Sequence, residues 1–286
     1  MSRQISLPRS LSPTILQAVL LMVLLVVLLV WPVDAGAQIT VRGRLAHDIP
    51  ATPGQPVTGQ IIVDNETSEV QQARIYQTDY RFFSDGTNEY GEPGLLERSN
   101  ARWITYSPET MTIPPNGNVT VSYEVAVPAS AGPGTYWSML MVESIDPSSA
   151  ESTLGDDPPA EREMGFRQVT RYGVQLATHV DESRAEANVE FSGVTLVAGE
   201  DGRTVFQADI VNTGSRMIRP EVYLRLFNAE GAEFGPFNGT LYRMYPGTSV
   251  RQRLELVDVP AGAYQAILIV DAGDDAVFGG QFELTL

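Results

Sequence analysis

From Val119 to Val127 the chain alternates without a break, with Val119, Val121, Tyr123, Val125 and Val127 separated by Thr120, Ser122, Glu124 and Ala126. A period of two with one apolar and one polar side is the mark of an antiparallel strand with one buried face. Ile39, Val41, Gly43 and Leu45 alternate with Thr40, Arg42 and Arg44 in the same way, and Phe278, Phe282, Leu284 and Leu286 repeat the pattern near the other end. Between such segments stand Pro53-Gly54, Asp85-Gly86, Pro115-Asn116-Gly117, Gly132-Pro133-Gly134, Glu230-Gly231 and Pro246-Gly247. These residue pairs preset or permit the dihedral angles of tight turns. No segment after residue 37 sustains a helical period over three turns, so the expected class is all-β, built of short strands packed as sandwiches.

The strand pattern occurs twice. Ile62-Val63-Asp64-Asn65, Ala73-Arg74-Ile75-Tyr76, Phe83-Ser84-Asp85-Gly86, Ile113 to Val119 and Gly134-Thr135-Tyr136 to Glu143 form one series. Ile210-Val211-Asn212, Pro220-Glu221-Val222-Tyr223, Phe227 to Gly231, Met244 to Val250 and Gly262-Ala263-Tyr264 to Asp271 form the second, in the same order. Two modules of roughly 110–140 residues match the size of immunoglobulin-like sandwiches. The expected division is 38–180 and 181–286, with Asp181 to Glu186 as the linker. The long apolar run after each Gly-x-Tyr reads as a central strand covered on both faces, and Tyr136, Trp137 and Tyr264 are expected to fill the cores. Two insertions, 86–104 and 144–165, distinguish the first copy. The second of them lacks periodicity and reads as mobile.

Residues 1–37 stand apart from this pattern. Arg3 and Arg9 precede a nearly unbroken apolar run from Ala18 to Trp31, followed by Pro32 and the small residues Ala35-Gly36-Ala37. That order is a secretory signal peptide, with cleavage expected after Ala37. The core run is shorter than the roughly 20 residues needed to cross a bilayer, and no later run approaches that length. The expected location is therefore the periplasm, the cell surface or the medium.

Composition then excludes several chemistries. All 19 basic residues are Arg, so the chain contains no Lys, and it contains no Cys. Phosphate-loop lysines, Schiff bases, thiol nucleophiles, thiolate metal sites and disulfides are all ruled out. A formal charge of −16 opposes nucleic acid and anionic membrane surfaces, which require basic patches. The acid surplus fits a salt-tolerant surface, and a GC-rich genome accounts for missing Lys equally well. No Gly-x-Ser-x-Gly, His-Glu-x-x-His, Gly-x-Gly-x-x-Gly or EF-hand pattern is present. His47 and His179 have no motif partner, and Asp271, Asp274 and Asp275 at a hairpin tip match no calcium loop. The expectation is no enzyme, no cofactor and no metal.

The arrangement of signal peptide and two cysteine-free modules resembles the periplasmic PapD-like pilus chaperones and the Ig-like domain of WxL-type bacterial surface proteins. The resemblance rests on Ile39 to Leu45 as first strand, Pro53-Gly54-Gln55, Ile113-Pro114-Pro115 to Val127-Pro128, and a last strand Gln168-Val169-Thr170-Arg171-Tyr172-Gly173-Val174. It implies a partner captured by strand addition and by a basic pair, an Arg on the first strand and a Lys on the last. Arg42 or Arg44 takes the first role. With Gly173 at the matching position, Arg171 is the nearest candidate for the second, since Arg holds a carboxylate bidentately. The expected function is binding of an exported pilus or surface-structure subunit. The alternative is a cell-envelope or carbohydrate-binding protein that uses Tyr90 and Trp103 in the first module's long loop.

Overall fold

The computed structural model describes residues 39–146, 149, 151–153, 169–199, 202–273 and 276–286. Residues 1–38, which include the stretch read as a signal peptide, residues 154–168, which include the end of the second insertion, and Asp274 and Asp275 lie outside them. Among the described residues the secondary structure is strands and two single-turn 3-10 helices, Ala101–Trp103 and Glu182–Arg184. The protein is all-β and carries two tandem immunoglobulin-like sandwiches.

In the first sandwich, one sheet runs in the order β1 (Ile39–Arg42), β3 (Val57–Asn65), β8 (Asn118–Val125), β6 (Ile104–Ser107). The facing sheet runs β2 (Ala46–Ala51), β10 (Arg171–Val180), β9 (Gly134–Ile145), β4 (Gln71–Phe82), β5 (Asn88–Gly91), with β7 (Thr110–Ile113) also on β4. The second sandwich has sheets β11 (Val189–Ala198), β12 (Thr204–Asn212), β15 (Ser249–Glu255) and β14 (Glu233–Asn238), β13 (Glu221–Asn228), β16 (Ala263–Asp271), β17 (Val277–Thr285). Ile61, Val63, Val121, Leu140, Val142, Val174 and Leu176 fill the first core. Phe206, Ile210, Leu224, Leu226, Leu268 and Val270 fill the second.

The sequence repeat extends to individual hydrogen bonds. Asn65 and Asn212 end equivalent strands, and both side chains are buried. Asn65 Nδ2 donates to the carbonyls of Glu69 (2.7 Å), Pro114 (3.0 Å) and Ile113 (3.2 Å), and its Oδ1 accepts from Thr67 N–H (2.9 Å). Asn212 donates to Arg216 O and Met244 O (both 2.9 Å) and accepts from Gly214 N–H (3.0 Å). Each amide ties the loop after its strand to the segment that leads into that strand's neighbour in the sheet, β8 or β15. Tyr136 and Tyr264 likewise donate to the carbonyls four residues before them, Gly132 (3.2 Å) and Pro260 (2.8 Å).

Three expectations are corrected. Ile39 to Leu45 is not one strand: Gly43, at φ +92°, turns the chain so that β1 joins one sheet and β2 crosses to the other, parallel to β10. Alternation continues on both sides of that glycine and so conceals the crossing. Trp137 does not sit in the first core; with Ala177 and Tyr245 it forms a third cluster between the sandwiches, flanked by Phe82 and Met217. Finally, the 86–104 insertion, expected as a long loop, carries strand β5 and the 3-10 turn Ala101–Trp103. It wraps the buried Asp79, whose carboxylate accepts the N–H groups of Gly94 (3.1 Å), Leu95 and Leu96 (both 2.9 Å) and the Ser99 hydroxyl.

Candidate functional site

β10 pairs with β9 along its whole length, Arg171 with Glu143 through Val180 with Gly134. On its other side β2 covers only Gln175 to Val180. The Gln175 N–H donates to Leu45 O (2.8 Å), so the odd-numbered residues of β10 turn their backbone groups away from β9. Arg171 and Gly173 therefore present N–H and C=O to an edge that no described strand covers. Tyr172 and Val174, between them, are bonded into the β9 ladder.

The outward side chains beside this edge form an ionic row. Glu143 is buried on β9 and receives Arg74 Nη2 (2.8 Å), Arg171 Nε (2.7 Å) and the Tyr76 hydroxyl (3.0 Å). Burial alone pushes this carboxyl up, but hydrogen bonds from Arg74, Tyr76 and Arg171 outweigh it and hold the pKa below the ordinary glutamate value. One row further, Met139 and Met141 flank Gly173, and a Cβ at Gly173 would strike the Met139 methyl. The missing side chain at Gly173 is what lets the methionine lie flat beside the open edge.

At the closed end of β10 the two sandwiches meet. Trp137 and Tyr245 stack at 4.8 Å between centroids, 17° from parallel. Trp137 Nε1 donates to Tyr80 O (2.7 Å), and the Tyr245 hydroxyl donates to Gln175 Oε1 (3.2 Å). Burial pushes the Tyr245 phenol up to about 12. Beside the stack, Asp48 on β2 is approached by Arg243 (2.9 Å), His179 Nε2 (3.1 Å) and Arg219 (3.2 Å). Burial raises its pKa, while Arg243 and His179 outweigh that and leave it lowered. His179 Nδ1 lies 3.1 Å from the Thr135 hydroxyl oxygen, which accepts Met217 N–H (2.8 Å). Both histidines are held internally, His47 between the Tyr123 hydroxyl (2.8 Å) and Arg44 O (3.1 Å).

The sequence-derived residues divide accordingly. Arg171 borders the open edge and is held by Glu143. Arg44 is exposed one residue before Leu45, whose carbonyl makes the bond to Gln175, and it has no carboxylate partner among the described residues. Arg42 lies apart on β1, hydrogen-bonded through Nε to Asp64 (2.9 Å). Of the alternative pair, Tyr90 is exposed on β5 with its ring 5.1 Å from Tyr80. Trp103 packs against the first core, 4.5 Å from Tyr136. The two are not joined in one aromatic platform. Asp48, Arg243 and Tyr245 were not picked out in the sequence, although one signal was there: Tyr245 stands where the first copy has Pro114.

The fold and this junction define the class: a two-sandwich Ig-like protein whose sandwiches are joined by an aromatic stack and an ionic clamp. No protein-family model matches the chain, and no curated protein does. Among solved structures it is similar to the class 5 fimbriae chaperone CfaA, at 10% identity and a TM-score of 0.44, over 87% of this chain and 99% of that one. It is similar also to the Escherichia coli chaperone DraB (12%, 0.42, covering 87% and 98%) and the Pseudomonas aeruginosa chaperone CupB2 (11%, 0.39, covering 86% and 100%). The PapD-like resemblance read in the sequence thus recurs among solved structures, as a likeness at low identity.

Proposed function

We propose that the protein is an exported, non-enzymatic assembly factor that binds an extended segment of another exported chain along the open stretch of β10. Residues 38–180 and 181–286 are its two domains, and residues 1–37 direct it to the periplasm or cell surface. The reading is carried by one observation: the backbone groups of Arg171 and Gly173 are unpaired, among the described residues, on an otherwise closed strand, with basic residues at hand. Strand addition takes affinity from main-chain hydrogen bonds and specificity from alternate side chains.

The outward residues of β10 are Arg171, Gly173 and Gln175, so this strand has no row of large apolar side chains to donate. Met139 and Met141 beside it are buried as well, so capture along this stretch draws on main-chain hydrogen bonds and charge rather than on a wide apolar surface. Arg44, without a carboxylate partner among the described residues, supplies a guanidinium for a carboxylate on the incoming chain.

The test is site-specific crosslinking in the producing cell. A photoreactive residue at the exposed Val169 is expected to trap one exported chain, while the same residue at Arg203 traps none. Gly173→Pro removes an outward N–H that takes no part in the β9 ladder, and is expected to abolish the adduct; Gly173→Ala keeps the N–H and separates loss of the edge from the effect of added bulk. An adduct undiminished by Gly173→Pro would overturn the reading.

A further inference from the structure

Exposed strand edges invite pairing with other chains, and proteins blunt them with short strands, prolines, bulges or charges. Nearly every edge among the described residues is blunted. β1, β5, β6 and β7 are four residues long. β2 contains Pro50. β11 has a bulge between Ser192 and Thr195, and β14 contains Pro236 within an irregular register. β15 bears Arg251, Arg253 and Glu255, and its Gln252 side chain bonds both the N–H (2.9 Å) and the C=O (2.8 Å) of Thr240.

Of these protections β17 has only a single charge. It runs nine residues, Val277–Thr285, in unbroken register with β16, without proline, bulge or basic residue, and Glu283 is its one charge. No described strand covers its other side. The reciprocal bonds between Leu286 and Gly262 (2.9 and 3.0 Å) fix the parity: even residues bond to β16, and Val277, Gly279, Gln281, Glu283 and Thr285 turn their N–H and C=O outward.

We infer that this edge pairs antiparallel with the β17 of a second copy of the chain, about a two-fold axis at Gln281. The sequence is complementary to itself in that register. Gln281 meets Gln281, Gly279 meets Glu283, Val277 meets Thr285, and the two Glu283 side chains never oppose each other. On the inner face Phe282 lies opposite Gly280, and Phe278 opposite Leu284. An aromatic ring beside a cross-strand glycine covers the gap that the glycine leaves. All five outward residues match outward residues, which permits about ten backbone hydrogen bonds, and the half-exposed Phe278 and Phe282 gain cover. The four-stranded sheet becomes an eight-stranded one, and the open stretch of β10, in the other sandwich, takes no part in the pairing.

Light scattering after size exclusion, with the chain from residue 38, tests the inference. The expected mass is that of a dimer at about 100 μM, where a dimer of micromolar affinity is largely assembled. Gln281→Pro removes an outward N–H and leaves the β16 ladder intact; Gln281→Arg places like charges opposite each other. Both are expected to be monomers with circular dichroism unchanged. An equal mixture of Gln281→Arg and Gln281→Glu is expected to recover the dimer, which fixes the axis at that residue. A wild-type monomer, or a dimer that survives Gln281→Pro and Gln281→Arg, overturns the inference. Crosslinking at Val169 is read independently, so failure of either proposal leaves the other standing.

Discussion

The last strands of the two sandwiches, β10 and β17, occupy the same place in the repeat and are treated in opposite ways. In the first copy the opening segment splits at Gly43, and its second half, β2, covers β10 from Gln175 to Val180. In the second copy the opening strand β11 stays with β12, bulges at Gly193, and leaves all nine residues of β17 uncovered. Two sandwiches with equivalent Asn amides and equivalent tyrosine bonds thus differ in how much backbone they expose. The core sets the fold, and the course of the first strand decides which edge is open.

The comparison can be broken most forcefully at the junction, where the copies also diverge. Tyr245 replaces the first copy's Pro114 and stacks on Trp137, so Tyr245→Ala is expected to cost about 3–5 kcal/mol, the range for large buried aromatics. Calorimetry should then show one unfolding transition separating into two as the sandwiches uncouple. A single unshifted transition would mean that the stack does not join them.

A smaller effect is expected where the copies agree. Asn65→Ala and Asn212→Ala each strand buried carbonyls that had an amide donor, and each should lose about 2–3 kcal/mol in urea unfolding. The Asn65 change should be at least as large, since its amide serves three carbonyls and that of Asn212 serves two. A loss confined to one position would show that the equivalence is only geometric.

The smallest effect is acid sensitivity. Asp48 and Glu143 have pKa values lowered from 3.8 and 4.5. A carboxyl depressed in the folded state contributes stability that is fully present above its ordinary pKa and is lost as the pH falls through the lowered one. Stability measured from pH 6 to pH 2 should therefore decline below about pH 4, and Glu143→Gln should flatten part of that decline. Stability unchanged down to pH 2 would mean that neither clamp survives in solution.

Much of the fold was legible in the sequence because strand alternation, turn residues and the repeat are local signals. Asn65 and Asn212 are recognisable as matching positions from the repeat alone. The candidate site was less legible because it depends on which strand covers which. Gly43 interrupts no alternation, yet it decides where β10 is left open. Arg171 was singled out on the last strand by the family resemblance, whereas its partner Glu143 lies on the neighbouring strand, and only register brings the two together. Asp48 is unremarkable as an acid in an acidic chain; its meaning comes from Arg243, 195 residues away. Trp137 was expected in a core because its strand reads as covered on both faces; the face it occupies is covered, but by the second sandwich.

The open edge of β10 is tested most directly by amide hydrogen exchange resolved along β10 in the isolated protein. Tyr172 and Val174 point to β9, and Gln175 is bonded to Leu45. These amides should exchange slowly, while Gly173 between them exchanges rapidly and slows once a partner is captured. A Gly173 amide as protected as Gln175 in the isolated protein would contradict the account, because the edge would then already be covered.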